Sequence, residues 1–515
     1  MGIFIKRLSL QNYKCFDEDV VDLKVPDGGP GSGLNILVGE NGNGKTAVLE
    51  AINYLTLSSF STENKLSIND FHDFMKEIEI SASMDEFECG SSIDYYKAWS
   101  FKARGIRFTA KSRDTKEAGK LLSSPFSVHS YFIPVRDEYQ KADGVTATDQ
   151  AGRVRVIDGR DKVFSNSRIE QDALSIFYFD KNRTRQIATG TYKTTFERIC
   201  DDLNWHFVKN LDEDNLGAIL DSITGEYFSA VEKVTKKNVG KKTAKDLQEF
   251  LGNEIFSNMR IELLSYLHPY SNSFLALRDK DTLTQISVRD LGSGIEMILT
   301  LLMLKNIAGA SKGSVIYLID EPELHLHPKA QEKLLELLIE ESKTKQIIVS
   351  THSPYMFKGA ISGHATLLLF TRDDKGKICI TDARSRGWGL FPAWSPSWGE
   401  INYFAYNLPT VEFHDELYGF LHERYVGNAA DQTDAENRSK IQDFDSNYLQ
   451  RTLKAIKKWT PEYGGKPKKE VTVTLPTYIR NKIHHPENNT MKQATFDPGE
   501  LRLSIDQMVQ LIKNP

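Results

Sequence analysis

The stretch Leu34-Asn35-Ile36-Leu37-Val38-Gly39-Glu40-Asn41-Gly42-Asn43-Gly44-Lys45-Thr46 decides the fold of this chain. Its first five residues form a short apolar run of the kind a strand buried on both faces requires. Gly39 to Thr46 then satisfies G-x-x-x-x-G-K-[ST], and Val48, Leu49, Ile52 and Leu55 continue at helical spacing. Strand, glycine-rich loop and helix in that order make a phosphate cradle. Gly39, Gly42 and Gly44 let the backbone curl, so that the N–H groups of the loop, Asn41 and Asn43 included, point inward at phosphate oxygens. The helix N-terminus adds its partial positive charge. Lys45 reaches the β- and γ-phosphates, and the Thr46 hydroxyl is a ligand for Mg²⁺.

Such a loop needs an acidic partner strand, and the sequence has one. Ser314-Val315-Ile316-Tyr317-Leu318-Ile319-Asp320-Glu321-Pro322 is an apolar run ending in two carboxylates. The C-terminal end of a parallel strand is where an α/β sheet presents ligand-binding groups. Asp320 is placed to hold a metal shell and Glu321 to activate the attacking water. Before this strand, Gly292-Ser293-Gly294 opens an apolar helix and makes a second anion-sized turn. After it, Gln346-Ile347-Ile348-Val349-Ser350-Thr351-His352 is another buried strand ending on a histidine. A lone histidine there would ordinarily be a structural hydrogen-bonder. The order of the motifs argues for a functional one.

Composition bounds the rest. With 515 residues the chain is too long for one ordinary core and suggests about three units. No apolar run approaches the ~20 residues of a membrane span. Four scattered cysteines (Cys15, Cys89, Cys200, Cys379) form neither a disulfide framework nor a zinc ladder, which points to a reducing cytoplasm. The net charge of −5 neither demands nor excludes nucleic acid. Residues 77–135 mix strand-like runs with turns, 160–265 have a charged helical texture without heptads, and the last 130 residues look helical.

The order phosphate loop, Gly-Ser-Gly helix, Asp-Glu-Pro strand and Ser-Thr-His switch resembles the ABC-type ATPases. Within them it resembles the SMC, RecF and OLD-like branch of AAA-family proteins. Ile5, Leu8, Leu10, Asn12, Tyr13 and Phe16 look like that branch's opening strand pair, and Glu321-Pro322-Glu323-Leu324-His325-Leu326-His327-Pro328 like its segment after the catalytic glutamate. The resemblance implies an α/β, ABC-type P-loop head split by a helical insertion, with a C-terminal, mainly helical domain. The expected units are 1–155 and 286–385 for the two lobes of the head, 156–285 for the insertion and 386–515 for the tail. It implies ATP and Mg²⁺ as cofactors and a homodimer or higher oligomer through the heads. Each ATP would lie between one chain's phosphate loop and the other's Gly292, Ser293 and Gly294. Lys45, Thr46, Asp320, Glu321 and His352 would act as phosphate clamp, metal ligand, second metal contact, general base and γ-phosphate sensor. The family's Q-loop glutamine has no clear counterpart; Ser67 to Phe71 stands in its place.

Two basic clusters, Lys233–Lys245 and Lys454–Lys469, suit either a nucleic-acid track or a solvated helix face. The tail has no Asp/Glu array of the OLD nuclease kind, which argues against a built-in DNA nuclease of that type. Trp388, Trp394 and Trp398 suggest a satellite core or a partner surface. Arg480 and His485 are spaced R-x4-H, similar to HEPN ribonucleases, and equally suit a helix-end packing or docking motif. The whole resembles the PtuA-type ATPase subunits of Septu and retron-associated anti-phage systems. That resemblance implies a partner HNH nuclease, a reverse transcriptase or retron nucleic acid nearby, DNA or RNA in the complex, and no membrane. The alternatives are a RecF- or SMC-like DNA-repair ATPase and a self-contained toxin with a ribonuclease tail.

Overall fold

The computed structural model describes residues 2–56, 66–91, 99–112, 116–117, 120–121, 126–134, 154–155, 174–181, 276–278, 285–287, 297–298, 301–302, 314–324, 326–359, 361, 365–385 and 388–514. In chain order the head comprises β1 (Ile5–Tyr13), β2 (Phe16–Asp22), β3 (Leu34–Gly39), α1 (Lys45–Thr56), β4 (Ile78–Ser91), β5 (Trp99–Ser112), β6 (Phe126–Pro134), β7 (Leu174–Phe179), β8 (Ser314–Asp320), α2 (Pro328–Glu341), β9 (Gln346–Ser350), β10 (Thr366–Arg372) and β11 (Ile378–Asp382). Two six-stranded sheets result. One is antiparallel, ordered β2-β1-β4-β5-β6 with a two-residue strand at Val154–Arg155 on its edge. The other is ordered β7-β8-β9-β3-β10-β11 and is parallel except for β11.

The parallel strands are mainly apolar because both their faces are covered. Ile316, Leu318, Ile348 and Leu37 point to one core, shared with α1 and the antiparallel sheet. Val315, Tyr317, Ile319, Ile347, Val349, Ile36 and Val38 point to the opposite core, closed by α2. The period-two alternation of a strand therefore sorts one continuous apolar run into two cores. Helix α1, which opens at Lys45, is held between the two sheets, so the loop before it is fixed at both ends.

The sequence reading changes at β7. Leu174–Phe179 falls inside the range expected to be a mainly helical insertion, yet it pairs in parallel with Ser314–Ile319 as the edge of the head's sheet. The aromatic and β-branched run Ile176-Phe177-Tyr178-Phe179 prefers an extended, half-buried surface, and Phe177 and Phe179 are buried there. The basic cluster Lys233–Lys245 and the residues Gly292, Ser293 and Gly294 lie outside the described residues. Among those described nearby, Met297 and Leu301 are buried against the parallel sheet.

The C-terminal part builds its own core from α3 (Trp398–Tyr406), α4 (Val411–Gly427), α5 (Leu475–His484) and α6 (Pro498–Lys513), with a small antiparallel pair at Lys457–Trp459 and Val471–Val473. Caps explain where its helices begin. Ser397 with Glu400 and Asp497 with Glu500 form reciprocal capping boxes, and the Thr410 hydroxyl accepts from the Phe413 amide. Trp388 and Trp398 pack on the head's core, whereas Trp394 stacks on Phe391 at 4.9 Å and stays 44% exposed. No described helix is long and apolar enough to cross a membrane.

Candidate functional site

The strands β3, β9 and β8 are adjacent and parallel, so their C-terminal ends share one edge of the sheet. That edge brings together Lys45, Thr46, Asp320, Glu321 and His352 from segments far apart in the chain. The loop Gly39–Gly44 has the backbone its glycines allow: φ is +150° at Gly39, +80° at Gly42 and +89° at Gly44. A side chain at Gly39 would strike the Phe370 carbonyl oxygen at 2.2 Å, and one at Gly44 would meet Phe16 Cζ at 2.5 Å. Lys45 is buried and donates from Nζ to the carbonyls of Gly39 (2.8 Å) and Glu40 (2.9 Å). Burial lowers its pKa to about 8, even though Glu321, Asp320 and Glu323 pull the other way.

Thr46 Oγ1 donates to Asp320 at 3.0 and 3.1 Å from its two carboxylate oxygens, and the Ser350 hydroxyl also donates to Asp320. Burial pushes the Asp320 carboxyl above the ordinary carboxylate value, against those two hydroxyls. Hydroxyl and carboxylate oxygens converging on one spot form a hard donor set that suits a magnesium ion. A buried ammonium, together with the unpaired N–H groups that open any helix, suits the phosphates of a nucleotide. The residues present therefore fit a magnesium nucleotide.

Glu321 follows β8 with φ +47°, a left-handed conformation that costs a non-glycine residue about 1–2 kcal/mol. Its amide is anchored on the Ser350 carbonyl at 3.0 Å, and its carboxylate lies 3.8 Å from Lys181. Burial and the nearby Lys45 hold the His352 imidazole below its ordinary pKa, so it is neutral around pH 7. Pro328 starts α2 at a position where a missing N–H costs nothing, and His327 Nδ1 caps it by accepting from the Lys329 amide at 3.3 Å.

Three residues that motif reading did not single out complete the site. Arg372 donates to Asn43 Oδ1 (3.0 Å), to the Gly42 carbonyl (2.8 Å) and to the Gly376 carbonyl (2.8 Å), while Asn43 Nδ2 donates to the Phe370 carbonyl (2.9 Å). Strand β10 thus braces the crown of the loop, and the Asn43 side chain points to that brace. Glu323 Oε1 accepts from the amides of His352 (2.6 Å) and Ser353 (3.1 Å), tying the acidic loop to the switch. Its Oε2 is buried without a hydrogen-bond partner among the described residues, and burial raises its pKa. Tyr406, from α3, donates to the Thr351 carbonyl at 3.0 Å. Only Glu323 had a sequence signal, its place in Glu-Pro-Glu.

The segment Ser67 to Phe71 forms one 3-10 turn; its Asp70 carboxylate accepts from the Ser67 amide at 2.7 Å and sits 3.5 Å from Lys14. Arg480 and His485 stand apart from this site. They line one cavity of about 1150 Å³ in the C-terminal part, where Arg480 donates to Asn481 Oδ1 (3.2 Å) and His485 lies 3.4 Å from Glu487. Three basic residues of that lining (Lys440, Lys469, Arg480) face four acidic ones (Asp443, Asp445, Glu462, Glu470).

The chain resembles known proteins over much of its length. The AAA ATPase domain family matches residues 4–123 and 162–357, more than half of the chain. An OLD nuclease of Thermus scotoductus is 25% identical over 393 residues, 74% of this chain and 64% of its own length. The chain thus spans less than two thirds of that relative. A retron Ec83 probable ATPase of Escherichia coli is 24% identical over 391 residues, 67% of this chain and 68% of its own. A solved Smc head domain from Pyrococcus furiosus, bound to the C-terminal domain of ScpA, is 14% identical, with 74% of this chain and 96% of that one covered at a TM-score of 0.40. The chain belongs to the AAA ATPase domain family.

Proposed function

We propose that the protein binds and hydrolyses ATP as the sensing or regulatory subunit of a bacterial anti-phage defence complex. The observation that carries the reading is the convergence of Lys45, Thr46, Asp320, Glu321 and His352 on one sheet edge. In this reading Lys45 clamps the phosphates, and the loop amides up to Gly44 cradle them. Thr46 and Asp320 would hold magnesium, which would supply charge neutralisation to the phosphates. The Glu321 carboxylate takes the proton of the attacking water, from a backbone position that its neighbours hold under strain. Neutral His352 offers a hydrogen bond to the γ-phosphate. Two heads sandwich the nucleotides, each completed by Gly292, Ser293 and Gly294 of the second copy.

What supports a defence role is the similarity to proteins named OLD nuclease and retron Ec83 probable ATPase. The finer reading is a PtuA-like subunit controlling a separate HNH nuclease, with reverse transcriptase or retron nucleic acid as further partners in some systems. Lobes at 1–155 and 286–385, an insertion at 156–285 and a tail at 386–515 are the division we adopt, with β7 counted to the head. The test is co-expression with a nuclease gene flanking this one. The reading expects the two proteins to co-purify and nucleic-acid cleavage to change when Glu321→Gln replaces the wild type. Independent purification with unchanged cleavage contradicts it, and favours a DNA-repair ATPase.

A ribonuclease tail is a second reading, because Arg480 and His485 do line one cavity. The mixed charge of that lining suits a docking surface better than a site for a polyanion. Equal RNA cleavage by wild type and His485→Ala would rule the ribonuclease out.

A further inference from the structure

The helix α3 belongs to two cores at once. Ile401 and Ala405 are buried in the core of the parallel sheet, with Trp398 and Tyr406 packed against it. Tyr403 packs against the C-terminal core, and Phe404 packs against both. Both ends of this nine-residue helix are pinned. At its start the Ser397–Glu400 capping box is closed, and the Ser397 hydroxyl donates to Glu416 of α4. At its end Asn407 adopts φ +51° and caps the helix by donating its amide to the Asn402 carbonyl. Orphan backbone groups at both ends of this short helix are thus satisfied.

The C-terminal half of this helix makes contacts of consequence on two sides. Toward the tail, the Tyr403 hydroxyl donates to Asp506 of α6, Arg502 donates to the Asn407 carbonyl, and the Arg502 guanidinium lies 5.9 Å over the Tyr403 ring. Toward the head, the Tyr406 hydroxyl donates to the Thr351 carbonyl, and the Tyr406 ring lies 6.0 Å from the His352 imidazole and 5.8 Å from Phe357. Thr351 precedes the switch histidine. The peptide carrying His352 is thus held from one side by Glu323 of the acidic loop and from the other by a side chain of the C-terminal part.

We infer that Tyr406 is a positioning residue through which the C-terminal helices set the switch histidine at the ATP site. The inference rests on the ATPase reading above. A hydrogen bond to the switch peptide that holds the imidazole in place alters the rate of the chemical step more than the binding of nucleotide, which Lys45 and the loop provide.

The experiment measures steady-state ATP turnover and melting temperature of the full chain for the wild type, Tyr406→Phe, Asp506→Asn and the double variant. Tyr406→Phe keeps the ring and removes only the hydroxyl. We expect its kcat to fall about three- to tenfold with KM within about twofold of wild type, the effect of one hydrogen bond. Asp506→Asn, remote from the nucleotide, is expected to lower kcat about twofold, and the double variant to fall no further than Tyr406→Phe alone. Wild-type turnover by Tyr406→Phe, a change confined to KM, or additive losses in the double variant would overturn the inference. Should Tyr406→Phe not fold, Asp506→Asn carries the same test: an unchanged kcat overturns the inference, and a lowered kcat at constant KM supports it. Failure of the ATPase reading shows elsewhere, as hydrolysis surviving in Glu321→Gln.

Discussion

Replacing Asn43 by alanine tests the phosphate loop where its geometry departs from what the motif suggests. The buried Asn43 amide joins the Phe370 carbonyl to Arg372, and Arg372 also holds the Gly42 carbonyl. Asn43→Ala removes two hydrogen bonds, one of them to the buried Phe370 carbonyl, a loss of about 1–3 kcal/mol. Strand β10 and helix α1 remain in place, so the loss falls on the order of the loop. Nucleotide must then restore that order on binding, which weakens ATP affinity roughly 5- to 100-fold. Calorimetric titration with ATP under conditions that block turnover measures this directly. Arg372→Ala, whose guanidinium is exposed, is expected to weaken binding less. The double variant is expected to match Asn43→Ala, because both residues serve one brace. Wild-type affinity for Asn43→Ala, or additive losses in the double variant, would refute the brace.

Gly42→Ala and Gly44→Ala separate strain from crowding. Both positions have positive φ, but a side chain at Gly42 meets nothing within 4 Å, whereas one at Gly44 meets Phe16 Cζ at 2.5 Å and Cys15 Sγ at 2.7 Å. Thermal unfolding is therefore expected to show a loss of about 1 kcal/mol for Gly42→Ala and about 2–4 for Gly44→Ala; equal losses would contradict the packing. Because the Lys45 pKa lies at about 8 before nucleotide binds, ATP affinity is expected to hold below that pH. Above it the ammonium loses its proton, and affinity should fall by up to about tenfold per pH unit; a flat profile to pH 10 counts against the buried clamp. Glu323→Ala strips the acceptor from two switch amides and is expected to lose about 2–4 kcal/mol of stability. Glu323→Gln retains an acceptor and removes a buried charge, so it should stay within about 1 kcal/mol of wild type. Chemical denaturation compares the two, and equal losses would refute the tie.

The elements built from local pattern are those the sequence makes legible. Leu34–Val38, interrupted only by Asn35, and Ile316–Ile319 announce buried parallel strands by their apolarity, and the residues that follow them are named by short motifs. Strand β7 is hidden because its partner, Ser314–Ile319, lies far along the chain and its flanks are charged. The 14-residue strands β4 and β5 are blurred by a register shift between Ser83 and Phe87, which breaks the alternation that periodicity relies on. At the candidate site, Arg372 and Tyr406 are illegible for a different reason. Each acts through a backbone carbonyl of another segment, at Gly42 and at Thr351, and such contacts leave no mark in residue spacing.

If two halves of one chain, far apart in sequence, assemble a single hydrolytic site with Glu321 as its base, losing that carboxylate must separate ATP binding from ATP turnover. Measuring ATP binding and ATP turnover side by side for wild type and Glu321→Gln tests it most directly. Glu321→Gln is expected to bind ATP within about threefold of wild type while its turnover falls at least about 100-fold, the effect of losing a general base. Turnover that survives in Glu321→Gln would contradict it.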